Sequence, residues 1–294
     1  MRAFTPGAAS VDVASVSKEA LEAATSSPTP DSSDEPFKLL QTASEHLPLA
    51  YHRLEGGSPG LMFLPGFMSN MTSGKAMALE AYARDNGREY VRFDYHGHGS
   101  SGGRFEECTL GGWIENALDI LDKVTSGGPM VLVGSSMGMW IAIHVALRRP
   151  DRVAGLVGIG AAPDFTQRFW LTLSAEDRES FEKDRLLLKQ SPYSEEPYKI
   201  SLDLVTEARQ HLLLNNAENT VAVDCPIRLL HGCQDVTAPP HLSSDIMNMV
   251  TSTDVEVTLV KDGDHRLSTP RDLDRMVRTV EELLRTLEGH QKGE

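Results

Sequence analysis

The chain has 294 residues, of which 40% are hydrophobic and 24% are charged, so it is long enough for one large domain with a sizeable core. Its formal net charge of −14, without a dense cluster of lysine and arginine, excludes the basic surface that proteins binding nucleic acid or anionic membranes require. A run of about 18 apolar residues, the length that predicts a membrane-spanning helix, does not occur, so we expect no integral membrane segment.

The first 36 residues differ in composition from the rest of the chain. They are rich in alanine, serine, threonine and proline, and they contain no apolar stretch long enough for the core of a signal peptide. They carry two basic and six acidic side chains, whereas transit peptides are rich in arginine and poor in acids. We therefore predict that residues 1–36 form a disordered N-terminal segment without a recognisable organelle address.

Strands and helices alternate through the first part of the predicted core, residues 37–162. A strand over 49–54, a Gly-Gly-Ser-Pro-Gly turn and a strand over 61–64 predict an N-terminal hairpin. The patterns that follow predict a helix near 73–86, a strand over 90–93, a helix over 113–124, a strand over 131–133 with its helix, and a strand over 153–159. This alternation indicates an α/β protein with a mostly parallel central sheet and helices on both faces.

The alternation stops between residues 163 and 223. Two charged stretches, around 175–189 and 199–214, have helical character and are joined by Ser191-Pro192-Tyr193. We predict that residues 163–223 are a small helical cap inserted over the site. The sheet then resumes, and strands over 226–231 and 255–260 and a helix over about 270–288 make residues 224–294 the second part of the core.

The stretch Gly134-Ser135-Ser136-Met137-Gly138 is the most informative motif of the chain. It follows the apolar run over 131–133 and precedes an apolar helix, which is the strand, turn and helix order of a nucleophile elbow. In such an elbow the nucleophile lies in a strained turn, and small residues two positions before and after it let strand and helix approach. Because only Ser136 has this glycine frame, the motif predicts Ser136, rather than Ser135, as the nucleophile of an α/β-hydrolase fold.

A serine hydroxyl needs a base to take its proton and a carboxylate to orient that base. In this fold the chain order is serine, acid, histidine. Asp235 follows one predicted core strand and His265 follows the next, so both lie in loops at the strand ends. We predict that Ser136, Asp235 and His265 form a catalytic triad. The alternative acids are Asp262 and Asp264, whose nearness in sequence to His265 makes the far ring nitrogen hard to reach.

Acyl transfer also develops a negative oxygen that preorganised N–H groups must bind. The backbone N–H groups of Phe67, in the loop after an early strand, and of Met137, directly after the nucleophile, are the candidate donors of this oxyanion hole. The alternative for Pro65-Gly66 is an ordinary turn. Apolar side chains near these positions and in the cap are candidates for a substrate-binding surface: Met68, Met71, Met139, Phe169 and Trp170. The alternative is that most of them belong to the core, and for the cap residues Phe169 and Trp170 the two interpretations have equal weight.

Histidines and cysteines elsewhere do not predict a metal site. His96 and His98 lie in a glycine-rich loop with no Asp, Glu or Cys at ligand spacing, so we interpret them as loop structure. Cys108, Cys225 and Cys233 have neither disulfide-framework nor metal-site spacing, and we expect reduced, structural thiols. Cys108 as a nucleophile is disfavoured because the neighbouring acids would raise the pKa of its thiol. We expect no metal and no cofactor.

Further stretches of the chain carry a more specific resemblance. These are Phe93-Asp94-Tyr95 with Gly97, Gly99, Ser100 and Ser101; Thr109-Leu110-Gly111 with Trp113; Val133-Gly134-Ser135-Ser136 with Gly138 and Trp140; Cys225-Pro226-Ile227-Arg228-Leu229-Leu230-His231-Gly232; Ser252-Thr253-Asp254-Val255; and Asp264-His265-Arg266. From about residue 48 to 288 the chain resembles the α/β-hydrolase domain-containing protein 10 family, which contains mitochondrial palmitoyl-protein thioesterases and acyl-glucuronide esterases, and related bacterial α/β-hydrolases.

The resemblance implies the same triad, hydrolysis of S-acyl thioesters on proteins and of acyl-glucuronide esters, and a mitochondrial location, with the cytoplasm as alternative. Three positions depart from the family pattern: Met139 stands where a second glycine is usual, and His96 and His98 stand where smaller residues are expected. Met139 puts the preferred acyl length in doubt.

These observations predict a serine hydrolase that acts through an acyl-enzyme. Its expected partner is an acylated protein or a small-molecule ester, and the sequence defines no oligomeric state. The alternatives are a small-molecule carboxylesterase without a protein substrate, a peptidase, and a non-catalytic α/β-hydrolase binding module. The last of these usually has a broken triad, whereas all three candidate members are present here.

Overall fold

The computed structural model of the protein describes residues 37–42, 47–190, 197–214 and 220–291. The predicted segment 1–36 and the predicted linker over 191–193 lie outside these residues. The strands are β1 (Lys38–Gln41), β2 (Pro48–Leu54), β3 (Gly57–Leu64), β4 (Arg88–Phe93), β5 (Met130–Ser135), β6 (Val153–Ile159), β7 (Leu186–Lys189), β8 (Tyr198–Ser201), β9 (Ile227–Gly232) and β10 (Val255–Val260). The helices are α1 (Gly74–Asp85), α2 (Leu110–Lys123), α3 (Met137–Arg148), α4 (Phe165–Thr172), α5 (Ala175–Asp184), α6 (Leu202–Glu207), α7 (His241–Met249) and α8 (Pro270–Gln291), with 3₁₀ turns at Phe105–Glu107 and Ala208–His211.

Among the described residues, eight strands form the central sheet in the order β1-β2-β4-β3-β5-β6-β9-β10. All pairs from β4 to β10 are parallel, and only β2 pairs antiparallel, with both β1 and β4. The central strands are continuous apolar runs because both of their faces are covered, as in β3, which is buried from its third residue onward. The mostly parallel sheet is confirmed.

The predicted N-terminal hairpin is wrong. Its two strands, β2 and β3, are both present but do not pair, because β4 lies between them and pairs with each. A short turn favours a hairpin locally, but the fully apolar β3 is stabilised by burial between two parallel neighbours, whereas β2 has a partly exposed face. Burial in the sheet centre therefore overrides the local turn signal.

Helices cover both faces of the sheet, and each face has its own core. On one face α2 and α3 pack with their apolar sides against β5 and its neighbours, with Trp113 and Trp140 among the largest buried side chains. On the other face α1 and α8 pack over β3 and β6. The helix predicted over 113–124 begins earlier, at Leu110, because the Thr109 side chain caps it by accepting a hydrogen bond from the Gly112 N–H.

The segment between β6 and β9 is less helical than predicted. The predicted helices cover α5 and α6, but β7 and β8 form a two-stranded antiparallel sheet within the predicted helical stretches. Arg185, with φ of 57°, ends α5 in the left-handed conformation and turns the chain into β7, and the Ser201 side chain caps α6 directly after β8. α4 was not predicted from the sequence. Because of β7 and β8, the described part of this segment is mixed rather than purely helical.

No helix in the described ranges combines the length and the apolar character that crossing a membrane requires.

Candidate active site

Ser136 lies in the turn between β5 and α3. Its backbone angles, φ 54° and ψ −115°, are strained for a residue with a side chain, as expected at a nucleophile elbow. The flanking glycines allow close backbone contacts, of β5 with α3 at Gly134 and of α3 with the end of β3 and the loop after it at Gly138. A Cβ atom on Gly138 would lie 2.1 Å from the Leu64 carbonyl oxygen, and one on Gly134 would lie 2.5 Å from the Met139 nitrogen. Larger residues at these two positions would separate strand and helix.

The structure brings the three predicted triad residues together. Nε2 of His265 lies 3.1 Å from Oγ of Ser136, and Nδ1 of His265 lies 2.7 Å from Oδ2 of Asp235. The carboxylate accepts from Nδ1–H, which leaves the Nε2 lone pair to accept the serine proton. The arrangement has the geometry of a nucleophile, a base and an orienting acid.

The Asp235 carboxylate is fully buried and strongly hydrogen-bonded. Burial alone would raise its pKa, but hydrogen bonds from His231, His265 and the Ala238 N–H outweigh burial and hold the pKa well below its usual range. The Thr237 and Ala238 N–H groups lie 2.9 and 2.7 Å from Oδ1. Asp235 is therefore ionised at any pH near neutrality and stabilises positive charge on His265.

His231 is a part of the site that was not predicted from the sequence. It is fully buried at the end of β9, where Nε2–H points at Asp235 Oδ2, 3.2 Å away, and at the Ala238 carbonyl oxygen, 2.9 Å away. The Ala238 carbonyl oxygen can only accept, so Nε2 carries the proton, and Nδ1 then accepts from the Ser243 hydroxyl at 2.8 Å. The sequence did contain a signal for this residue. A histidine lies at the end of the predicted strand, four residues before the predicted acid, and no other polar residue lies at that end.

The alternative acids are placed elsewhere. Oδ1 of Asp264 accepts from the N–H groups of Arg266 and Leu267, at 3.0 and 2.9 Å, so this carboxylate shapes the loop that carries His265. Asp262 is exposed. The far nitrogen of His265 is met by Asp235 and not by either alternative.

The loop after β3 lies directly beside the elbow. A Cβ atom on Gly66 would lie 3.3 Å from Cβ of Ser136 and 3.1 Å from the Ser135 carbonyl oxygen, so the backbone that carries the Phe67 N–H passes next to the serine. The Met137 N–H begins α3, where helix N-termini favour negative charge. Both predicted oxyanion donors thus lie on elements adjacent to Ser136.

The Phe67 ring joins this loop to the segment between β6 and β9. Its centroid lies 5.1 Å from that of Phe165 in α4 and 5.8 Å from that of Tyr198 in β8. On its other side it contacts Phe105 and Trp113, at 5.0 and 6.2 Å. These edge-to-face contacts place the segment over the loop beside the serine.

The five candidate substrate-binding side chains fall into two groups. Met71 and Met139 are buried, and Met139 packs against Gly158 of β6, where a Cβ atom would lie 3.0 Å from its Cγ. This is core packing beneath the site. Met68 is exposed, and Phe169 and Trp170 are half-buried on α4. Only these last three have surface for a ligand.

His96 and His98 are tied into their loop. Nε2 of His96 lies 3.1 Å from the Leu47 carbonyl oxygen, and its Nδ1 lies 3.2 Å from Nδ2 of Asn116. In the part of the chain that the structure describes, no group of three His, Cys, Asp or Glu side chains is arranged to hold a metal ion. Burial raises the pKa of Cys225 to about 12, so this thiol is unreactive.

The parallel sheet, the strained elbow and the hydrogen-bonded serine, histidine and aspartate define a hydrolase with the α/β-hydrolase fold. The family described as "Serine aminopeptidase, S33" matches residues 61–201. The chain is 42% identical over 237 residues to the bovine "Palmitoyl-protein thioesterase ABHD10, mitochondrial", covering 80% of this chain and 76% of that one. It therefore belongs to the α/β-hydrolase domain-containing protein 10 (ABHD10) family.

Solved structures agree with this family. α/β-hydrolase domain-containing protein 10 from mouse matches with a TM-score of 0.79 and 38% identity, covering 86% of this chain and 99% of that one. A putative hydrolase from Agrobacterium vitis S4 matches with a TM-score of 0.78 and 32% identity, covering 84% and 97%. The predicted fold class and family are confirmed.

Gly160, directly after β6, lies closely against both His265 and Asp235. It has φ of 54°, and a Cβ atom there would lie 2.9 Å from the His265 carbonyl oxygen and 3.4 Å from its Nδ1. We expect Gly160→Ala to displace the imidazole and lower kcat about 10- to 100-fold, because small misplacements of catalytic groups are costly. Steady-state kinetics on any ester substrate measures this.

Gly127→Ala is the matched control. Gly127 also has positive φ, 91°, but a Cβ atom there has nothing within 4 Å. It should share the backbone strain, about 1–2 kcal/mol, and keep wild-type kcat. Equal kcat values for the two variants would contradict the supporting role of Gly160.

Proposed function

We propose that this protein is an acyl-protein thioesterase that acts through an acyl-enzyme on Ser136 and also hydrolyses acyl-glucuronide esters. The observation that carries the proposal is the hydrogen-bonded chain from Ser136 through His265 to Asp235. The substrate class is supported by the bovine relative, whose name is palmitoyl-protein thioesterase. The same name supports a mitochondrial location for this chain.

Acylation begins when His265 takes the Ser136 proton at Nε2. The serine oxygen then attacks the carbonyl carbon, and the Asp235 carboxylate stabilises the imidazolium that forms. The tetrahedral oxyanion accepts hydrogen bonds from the Phe67 and Met137 N–H groups. When the carbon–sulfur bond breaks, His265 returns the proton to the leaving thiolate, and the acyl group stays on Ser136.

Deacylation repeats these steps with water as nucleophile. His265 takes a proton from water, the hydroxide attacks the acyl carbon, and collapse of the second tetrahedral intermediate returns the proton to Ser136 and releases the free acid. An oxygen ester such as an acyl-glucuronide follows the same course with an alkoxide leaving group. The chemistry needs no metal and no cofactor.

The acyl chain is proposed to lie along α4, beneath a cap formed by residues 163–223. Phe165 of α4 packs edge-to-face on Phe67 at 5.1 Å, and this contact is next to the proposed oxyanion donor. Phe169 and Trp170 follow on the same helix and are half-buried, and Met68 adds an exposed, flexible side chain. Because aromatic and thioether groups favour apolar contact, this surface suits a medium or long acyl group.

The experiment that tests the proposal measures kcat/KM for acyl thioesters from two to sixteen carbons, beside an acyl-glucuronide. We expect kcat/KM to rise with chain length, since each buried methylene contributes about 0.8 kcal/mol until the apolar surface is filled. The same series on Phe169→Ala should rise less steeply, while its acetyl thioester rate stays close to wild type.

Three results would count against it. If short esters turn over best and long thioesters do not react, the protein is a small-molecule carboxylesterase with the same mechanism. If only the acyl-glucuronide reacts, the thioester assignment is wrong. If a fluorophosphonate fails to label the wild-type protein, the site is non-catalytic and the chain is a binding module.

A further inference from the structure

The loop beside Ser136 forms hydrogen bonds with the glycine-rich loop that follows β4. We call residues 65–71 the oxyanion loop and residues 94–101 the support loop. The Met68 N–H points at Nε2 of His98, 3.3 Å away, and the Met71 N–H donates to Oδ1 of Asp94 at 2.7 Å. Met68 directly follows Phe67, whose N–H is the proposed oxyanion donor, and Met71 ends the same loop.

His98 has a single protonation state that fits its surroundings. Its Nδ1 lies 3.2 Å from the His96 carbonyl oxygen, which can only accept, so Nδ1 carries the proton. Nε2 then has a lone pair and accepts from the Met68 N–H. Burial lowers the pKa of His98 to about 4, against a smaller opposite effect of the bond to His96, so the ring is neutral at working pH.

The His98 ring is rigidly placed. It is only 4% exposed, and its centroid lies 5.1 Å from that of Trp113, 5.2 Å from that of Phe105 and 5.6 Å from that of Tyr95, all edge to face. Phe105 and Trp113 also contact the Phe67 ring. The imidazole is therefore a fixed acceptor, locked by the aromatic groups that surround the oxyanion loop.

The oxyanion loop needs such an acceptor. Met68 has φ of 57°, a left-handed conformation that costs a residue with a side chain about 1–2 kcal/mol. A hydrogen bond from the N–H of Met68 fixes the peptide plane between Phe67 and Met68, and so limits rotation of the backbone next to the Phe67 N–H.

We propose that His98 is a positioning residue that aims the Phe67 N–H at the developing oxyanion through its bond to the Met68 N–H. This inference rests on the proposed serine hydrolysis but not on its acyl donor. The side chain acts on the loop and touches no reacting atom.

Two variants of His98 that differ by one methylene test the proposal. In His98→Gln the side-chain oxygen reaches about as far as Nε2 and can accept from the Met68 N–H. In His98→Asn the amide reaches only as far as Nδ1, so it keeps the bond to the His96 carbonyl and loses the bond to Met68. The substrate is a simple activated ester, and the active enzyme is counted by fluorophosphonate titration, so an error in the acyl donor does not affect the result.

We expect His98→Asn to lower kcat about 10- to 100-fold with KM within about twofold, because oxyanion donors act mainly in the transition state. His98→Gln should recover most of that kcat. The melting temperatures of the two variants should agree, which separates positioning from folding. His96→Gln, a change in the same loop at a side chain that bonds to Leu47 and Asn116, should keep wild-type kcat.

The proposal is overturned if Asn and Gln at position 98 have equal kcat, or if their losses appear in KM or in the titrated fraction of active enzyme alone. A wild-type protein that hydrolyses the activated ester but no acyl thioester would refute the proposed substrate class while leaving the role of His98 intact. A loss in His96→Gln equal to that in His98→Asn would assign the effect to the support loop in general, and would also refute the specific role of His98.

Discussion

Replacing Ser136 with alanine should abolish hydrolysis, with a fall in kcat of about 10⁶-fold. The variant loses the oxygen that forms the acyl-enzyme, and His265 then has no proton to take at 3.1 Å. The proposed oxyanion donors and the proposed apolar surface remain, so substrate should still bind with a similar dissociation constant. Stopped hydrolysis with retained binding, measured by kinetics and by fluorescence or calorimetric titration, is the expected result.

Ser135→Ala is the control in the same motif. Ser135 ends β5, one residue before the predicted nucleophile, and its carbonyl oxygen faces Gly66, where a Cβ atom would lie 3.1 Å from it. Because the main chain makes this contact, the alanine variant should keep its activity and its labelling by a fluorophosphonate. If Ser136→Ala remains active, or if only Ser135→Ala loses activity, Ser136 is not the nucleophile.

The positions of the three predicted triad residues were accessible from sequence because each depends on a local pattern. A nucleophile elbow needs a strand, glycines at fixed spacing and a helix, and Ser136 has all three within one short stretch. Asp235 and His265 each follow an apolar strand, and parallel strands end on the same edge of a sheet. The order of the three residues along the chain and their position at the same edge of the sheet were sufficient to predict that they lie together. No knowledge of a contact between them was needed.

Other features depend on contacts between distant residues and carried no local signal. The pairing of β4 between β2 and β3 is decided by burial of β3 in the sheet centre, not by the turn that joins it to β2. Gly160 was missed because its need for glycine comes from His265, more than a hundred residues later. His98 was assigned to loop structure, since its partner at Met68 is known only from the fold.

The apolar candidates around the site show the same limit. Methionines near a catalytic motif suit both a binding surface and a core, and only the fold separates them. Met139 lies on the first turn of α3, and the absence of a side chain at Gly158 leaves the space that it fills. Its sulfur therefore packs against the face of the sheet at β6, and any influence on acyl length acts through this packing rather than through direct contact.

Replacing Asp235 with asparagine is expected to have the second largest effect, a fall in kcat of about 10⁴-fold with a small change in KM. The Asp235 carboxylate accepts from Nδ1–H of His265 at 2.7 Å, whereas an asparagine amide can present its NH₂ group and favour the opposite tautomer. His265 would then direct an N–H at Ser136 and be unable to act as base. The activity of Asp264→Asn, whose carboxylate holds only its own loop, should stay within a few-fold of wild type.

The pH dependence of stability gives this prediction a second readout. Folding lowers the pKa of Asp235 from an unfolded value of about 3.9, so the ionised carboxylate stabilises the native state fully above about pH 4. That contribution is lost as the pH falls below 4 through the folded pKa. The melting temperature of Asp235→Asn should therefore lie furthest below that of wild type near neutral pH and approach it in acid. A difference that is constant with pH, or an Asp264→Asn variant that loses activity as severely, would show that the hydrogen-bonded acid of His265 is not Asp235.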